Sequence, residues 1–106
     1  VIVIVCFAPL SHADAVRAAL AEGGAGQLGA YSACSFSAPG EGRFRPTDAA
    51  DPFIGTSGEL TVVEEVRIEA VCTREQARAA IDAMLSVHPY EVPAWHAYEA
   101  LDPELI

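Results

Sequence analysis

The chain begins Val-Ile-Val-Ile-Val, five β-branched residues in a row, followed by Cys6, Phe7 and Ala8 with no charge among them. β-Branched side chains favour extended backbone, and a run with no polar face needs cover on at least one side. These residues therefore predict a central strand, ended by Pro9. The rest of the chain must supply its neighbours and its cover.

The later segments alternate in type. Ser11 to Gly24 predicts a helix capped by Ser11, with Asp14 as a weaker capping-box partner and Gly23-Gly24 as the stop. Gly29 to Ala38 predicts a second strand, with Tyr31, Ala33, Ser35 and Ser37 on one face and Cys34 and Phe36 on the other. Pro39 to Gly58 holds four of the eight glycines and three of the seven prolines, so a long loop over residues 38–58 is expected. Glu59 to Cys72 predicts a long strand, with Val66, Ile68, Ala70 and Cys72 on one face and Glu65, Arg67 and Glu69 on the other. Thr73 and Gln76 form a capping box for a helix whose apolar stripe runs Ala77, Ala80, Ile81, Met84, Leu85 and His88. Pro89 ends it, and Val92 to Leu101 predicts a last, edge strand carrying Trp95.

The order β-α-β, loop, β-α-β fits one α+β domain over residues 1–106. The expected architecture is a ferredoxin-like sandwich, a four-stranded antiparallel sheet with two helices on one face. The other face then meets water or a second subunit. A length of 106 residues suits one core, and an apolar fraction of 52% in so small a chain points to an additional buried surface.

Charge excludes several partners. The net charge is −9, lysine is absent and six arginines carry all the positive side-chain charge. Such a chain repels nucleic-acid backbones and anionic membrane surfaces. The apolar opening is too short to cross a bilayer and has no basic flank. An initiator methionine before Val1 is taken as removed or outside the numbering, and the cytoplasm is the expected compartment.

Candidate chemistry is sparse. Taking the first and third strands as parallel neighbours brings Cys6, Cys34 and Cys72 to one end of the sheet. There their thiolates could hold a soft metal such as copper(I), although cysteine also serves as a small apolar core residue. His12, His88 and His96 lack zinc-site spacing. His88 reads as a helix C-terminal cap held against Tyr90. Glu65, Arg67 and Glu69 read either as a solvated ion-pair ladder or as a charged lining of a subunit junction, with Glu91 nearby. Gly40-Glu41-Gly42-Arg43-Phe44 could wrap a phosphate through backbone N–H groups with Arg43 or Arg45, but it opens no helix and matches neither nucleotide fingerprint. No nucleophile, base and acid set is visible. A small enzyme using Glu69 or Glu91 as general base lacks a second partner.

The segments GQLGAYSACSFSAPGEGRFRP, PFIGTSGELTVVEEVRIEAVC and HPYEVPAW together resemble the inserted middle domain of the NGG-one-interacting-factor-three-like, or YqfO-like, family. HPYEVP also resembles the closing segment of CutA proteins, trimers of a PII-like ferredoxin fold. The resemblance implies a PII/CutA-like domain, self-association through the open sheet face with a trimer favoured, and an accessory role beside a metal-binding body. On this reading the chain is a free-standing form of the insert, and the hydrolase activity proposed for full-length members does not carry over. The function expected is a non-enzymatic, oligomeric binding or regulatory module with no resident cofactor. Its site would gather Tyr31, Arg43, Phe44, Glu65, Arg67, Glu69, His88, Tyr90 and Glu91. The alternative is a CutA-like copper- or zinc-binding protein using the three cysteines.

Overall fold

The computed structural model describes residues 1–106. It contains four main strands and two main helices: β1 Ile2–Pro9, α1 Ala13–Glu22, β2 Phe36–Phe44, β3 Thr61–Cys72, α2 Arg74–Val87 and β4 Trp95–Glu99. The sheet order is β2-β3-β1-β4 and every pairing is antiparallel. The expected α+β ferredoxin-like sandwich is therefore the observed architecture. β1 is central, as its composition requires, and β4 is an edge.

One expectation about strand direction fails. β3 runs antiparallel to β1, with Ile2 opposite Cys72 and Cys6 opposite Ile68. In this topology the parallel pairs are β1 with β2 and β3 with β4, and each has an antiparallel strand inserted between its members. Cys6 and Cys72 consequently lie four register positions apart, roughly 13 Å at about 3.3 Å per residue.

Alternation along the strands divides the side chains between two faces. Ile2, Ile4, Cys6 and Ala8 of β1 and Val66, Ile68, Ala70 and Cys72 of β3 face the helices. There they pack with Val16 and Leu20 of α1 and with Ala80, Ile81 and Met84 of α2. Ala77 and Leu85 complete the predicted stripe at its partly buried margin, and Trp95 packs from β4. The opposite face carries Val3, Val5 and Phe7, with Glu65, Arg67 and Glu69 beside them on β3 and His96 and Tyr98 on β4. No helix covers it.

The helix starts differ from one another. Thr73 caps α2 as expected, its Oγ1 accepting the Gln76 N–H at 3.3 Å. Ser11 does not cap α1. A 3-10 turn over Leu10–His12 precedes the helix, and the Ser11 hydroxyl pairs with His12 Nδ1 instead.

β2 begins seven residues later than expected, and the connection after it is correspondingly shorter. Residues 24–35 form an irregular crossing. Gly26, at φ 85°, donates its N–H to the Val71 carbonyl at 2.7 Å. Ala33 at φ 56° and a Leu28–Tyr31 bridge turn the chain again. Extended backbone excludes such angles. Pro39 to Phe44, assigned to the loop by composition, is instead strand paired with Thr61–Val66. Gly40 and Gly42 are thus sheet residues, and the proposed phosphate-wrapping turn over Gly40–Phe44 does not form.

Met84 is fully buried between α2 and the sheet. Met84→Ala is expected to cost about 2–5 kcal/mol, and loss of the cap in Thr73→Ala about 1 kcal/mol. Denaturant unfolding at fixed protein concentration measures both, and a Met84 variant as stable as the parent would contradict this core.

Candidate functional site

At the end of the sheet where β1 finishes, the β2–β3 hairpin projects beyond it. The segment between α2 and β4 crosses the same end. The β2–β3 connection, residues 45–60, lies against both and closes a cleft of about 320 Å³. Phe7 comes from β1, Arg43 and Phe44 from β2, Glu65 from β3, and Tyr90, Glu91 and Val92 from the α2–β4 crossing. The strap adds Pro46, Ala50, Pro52, Phe53 and Ile54. Apolar walls with few polar groups are the usual make-up of a small-molecule site.

His88 organises the floor. It is buried, and its Nδ1 accepts the backbone N–H of Tyr90 at 3.2 Å. The ring proton therefore sits on Nε2, which donates to the Phe7 carbonyl at 2.7 Å. The expected contact with Tyr90 is present, the ring centroids being 4.8 Å apart. The imidazole does not cap its own helix, however; it pins the helix exit to the last turns of β1.

Tyr90 then reaches across to β3. Its hydroxyl donates to Glu65 Oε2 at 2.8 Å. Burial, followed by the hydrogen bond and the charge of Glu65, pushes the Tyr90 pKa well above the ordinary phenol value. Gly42 makes room for this pair, because a Cβ there would overlap the Glu65 carboxylate. An alanine there would push the Glu65 carboxylate away from the Tyr90 hydroxyl.

The strap is fastened lightly. Asp51 N–H donates to Glu91 Oε1 at 3.0 Å. Phe53 sits between His12, edge-on at 5.5 Å, and Tyr90 at 6.4 Å. Arg43 is engaged by Glu41, whose Oε2 accepts from Nε at 3.0 Å and Nη2 at 2.8 Å.

Of the nine expected site residues, Arg43, Phe44, Glu65, Tyr90 and Glu91 line the cleft, and His88 supports it from beneath. Arg67 and Glu69 lie further along the open face, paired with each other at 3.1 Å. The expected three-residue ladder is therefore broken, because Glu65 turns to Tyr90. Tyr31 belongs to the irregular crossing at the far end of β3 and is exposed. The cysteines do not converge. Cys6 and Cys72 are buried in the helix-facing core at separate registers, and Cys34 is in the crossing rather than on β2. Burial pushes the Cys6 thiol up to about 11 and raises that of Cys72, the opposite of what a thiolate ligand needs. Phe7, Pro46, Phe53, Ile54 and His12 escape sequence reasoning. The one signal for Phe7 is its position as the sole aromatic closing β1.

A second groove of about 390 Å³ runs between α2 and β4. Its arginines are already occupied, Arg74 by Glu99 at 3.1 Å and Arg78 by Asp82 at 2.9 Å.

Sheet order, strand direction and helix placement define a PII/CutA-like domain. In structure the chain superposes on the PII-like protein CutA from a Nostoc species with a TM-score of 0.67, covering 94% of this chain and 81% of that one at 17% identity. It superposes on a Bacillus cereus protein related to NIF3 with a TM-score of 0.79 and 42% identity, covering 92% of this chain and 24% of that one. In sequence it is 48% identical over 92 residues to the GTP cyclohydrolase 1 type 2 homolog of Bacillus subtilis, covering 87% of this chain. No family model matches. The chain matches a domain of NIF3-related, YqfO-like proteins, and it spans about a quarter of the length of the curated relatives it matches.

The Tyr90–Glu65 pair has a pH signature. A folded-state phenol held above its unfolded value near 10.0 keeps its proton while the unfolded chain loses its own. The contribution is present below that pH and is lost as pH rises beyond it. Absorbance titration should show one tyrosine ionising later than the other two. Tyr90→Phe should remove that late phase, and Gly42→Ala, by displacing Glu65, should bring it earlier. Three tyrosines ionising together in the parent would rule the pair out.

Proposed function

We propose that this domain is a non-enzymatic binding module that self-associates through its open sheet face and receives a small ligand in the cleft at the end of the sheet. The observation that carries the reading is the cleft itself: a small, mostly apolar cavity whose polar groups are held in place by a chain of hydrogen bonds. A catalytic role would need a group poised to accept a proton. Tyr90 is locked as a donor to Glu65, and neither Glu65 nor Glu91 has a nucleophile beside it. The relatives' printed names describe homologues of a GTP cyclohydrolase, and three-quarters of those proteins lies outside the matched segment.

Self-association is supported by the uncovered face. Phe36 and Tyr98 stand exposed on it, flanking the Val3, Val5 and Phe7 row. The CutA likeness favours a trimer. No helix is long and apolar enough to cross a membrane. The test is sedimentation equilibrium over a concentration series. The parent should be a defined oligomer, and Phe36→Asp with Tyr98→Asp should be monomeric while remaining folded by circular dichroism. A parent that stays monomeric at the highest concentration would overturn the assembly.

A further inference from the structure

The ion pairs of the chain show an imbalance at the cleft. Arg17, Arg43, Arg67, Arg74 and Arg78 each have a carboxylate partner, Arg45 is exposed at the start of the strap and does not line the cleft, and Glu65 and Glu91, which do, have no cationic partner. The chain has no lysine to supply one. Two carboxylates without counter-ions therefore flank a cavity whose remaining wall, apart from the Glu41-paired Arg43, is aromatic and aliphatic: Phe7, Phe44, Phe53 and Tyr90 bring four rings to it. Rings attract cations over their faces, and most strongly where water is excluded.

Resting on the binding-module reading above, we infer that the cleft binds a small organic cation, an alkylated ammonium with an apolar body. The acceptors available favour alkylated over primary ammonium. Glu65 Oε2 is taken by the Tyr90 hydroxyl and Glu91 Oε1 by the Asp51 N–H. A primary ammonium brings three donors that all need partners, and only Glu65 Oε1 and Glu91 Oε2 are left without one. A quaternary centre brings none, and asks only for nearby negative charge and ring faces. The cavity, about 320 Å³, is at the small end of the range for such ligands. Arg43 does not spoil the field, since Glu41 neutralises it at the rim. Anions of similar size meet two carboxylates and are excluded.

Three probes of one shape decide it: benzyltrimethylammonium, benzyl alcohol and benzenesulfonate, titrated into the full chain at low salt and followed by amide chemical shifts. The cation should shift Phe7, Phe53 and Tyr90 and bind about tenfold tighter than the alcohol, with the sulfonate not binding. Glu65→Gln, which keeps an acceptor for Tyr90, and Glu91→Gln should each weaken the cation several-fold. Their combination should abolish the preference over the alcohol. Glu75→Gln, which removes the same charge at the start of α2, should leave it intact. If the alcohol binds as well as the cation, the cationic specificity is overturned and the cleft survives as a binding site. If none of the three perturbs the cleft, both readings fall. A sulfonate that binds best, or a double variant that still prefers the cation, would also overturn the inference.

Discussion

Everything in this domain is arranged around a strand that is buried at every position but Phe7. Ile4, Val5 and Cys6 have no exposed surface, although Val5 and Cys6 point to opposite faces of the sheet. β1 is shielded laterally by β3 and β4 and from one side by both helices. On the other side there is no second layer, yet Val3 and Val5 are buried. Their register neighbours explain it: Val5 lies between Glu69 and His96, and Val3 between Val71 and Tyr98. Long and aromatic side chains on flanking strands do locally what a layer would do globally. The open face is therefore already half roofed, and Phe36 and Tyr98 stand proud of that roof.

The same strand also anchors the cleft. The carbonyl of Phe7 is the acceptor for His88, and His88 in turn receives Tyr90, which donates to Glu65 on β3. One continuous set of polar contacts thus joins β1, the end of α2, the crossing to β4 and the start of β3. A buried imidazole without partners would be costly; here both nitrogens are used, and their direction is dictated by which backbone group donates. The HPYE segment, which a bare helix exit would not need, is accounted for by this chain. Its histidine binds backward to β1, its proline stops α2, its tyrosine crosses to β3 and its glutamate holds the strap.

Much of the frame was legible in the residues because it depends on periodicity. The alternation at Val66, Ile68, Ala70 and Cys72 and the stripe from Ala77 to His88 are burial patterns, and burial is local information. The errors come from non-local geometry. Gly29 to Ala38 alternates plausibly as a strand, but Gly29 and Ala33 adopt left-handed angles within a crossing that Gly26 ties to Val71, forty-five positions away along the chain. Strand direction is hidden because a split β-α-β unit inserts an antiparallel partner between its strands, and the cysteine cluster falls with it. Within the site, charged and aromatic residues at loop ends are legible; Pro46 and Ile54 are not, since nothing local marks an apolar strap residue as the wall of a cavity.

The strap decides how such a cleft would work. One backbone hydrogen bond to an exposed glutamate and two ring contacts hold a connection of sixteen residues, 45–60, to the body. Set against a cost of roughly 1–2 kcal/mol for each residue whose backbone is fixed, those contacts hold the strap lightly. Its internal bonds, Gly58 N–H to the Pro46 carbonyl at 2.8 Å and Glu59 N–H to the Thr56 carbonyl, fix its own shape. A ligand that touched Phe53 on one side and Tyr90 on the other would add the contacts the strap lacks. In the proposed site, the wall built on His88 and Glu65 would set which chemistry is recognised. The wall built on Phe53 would set how fast a ligand enters and leaves.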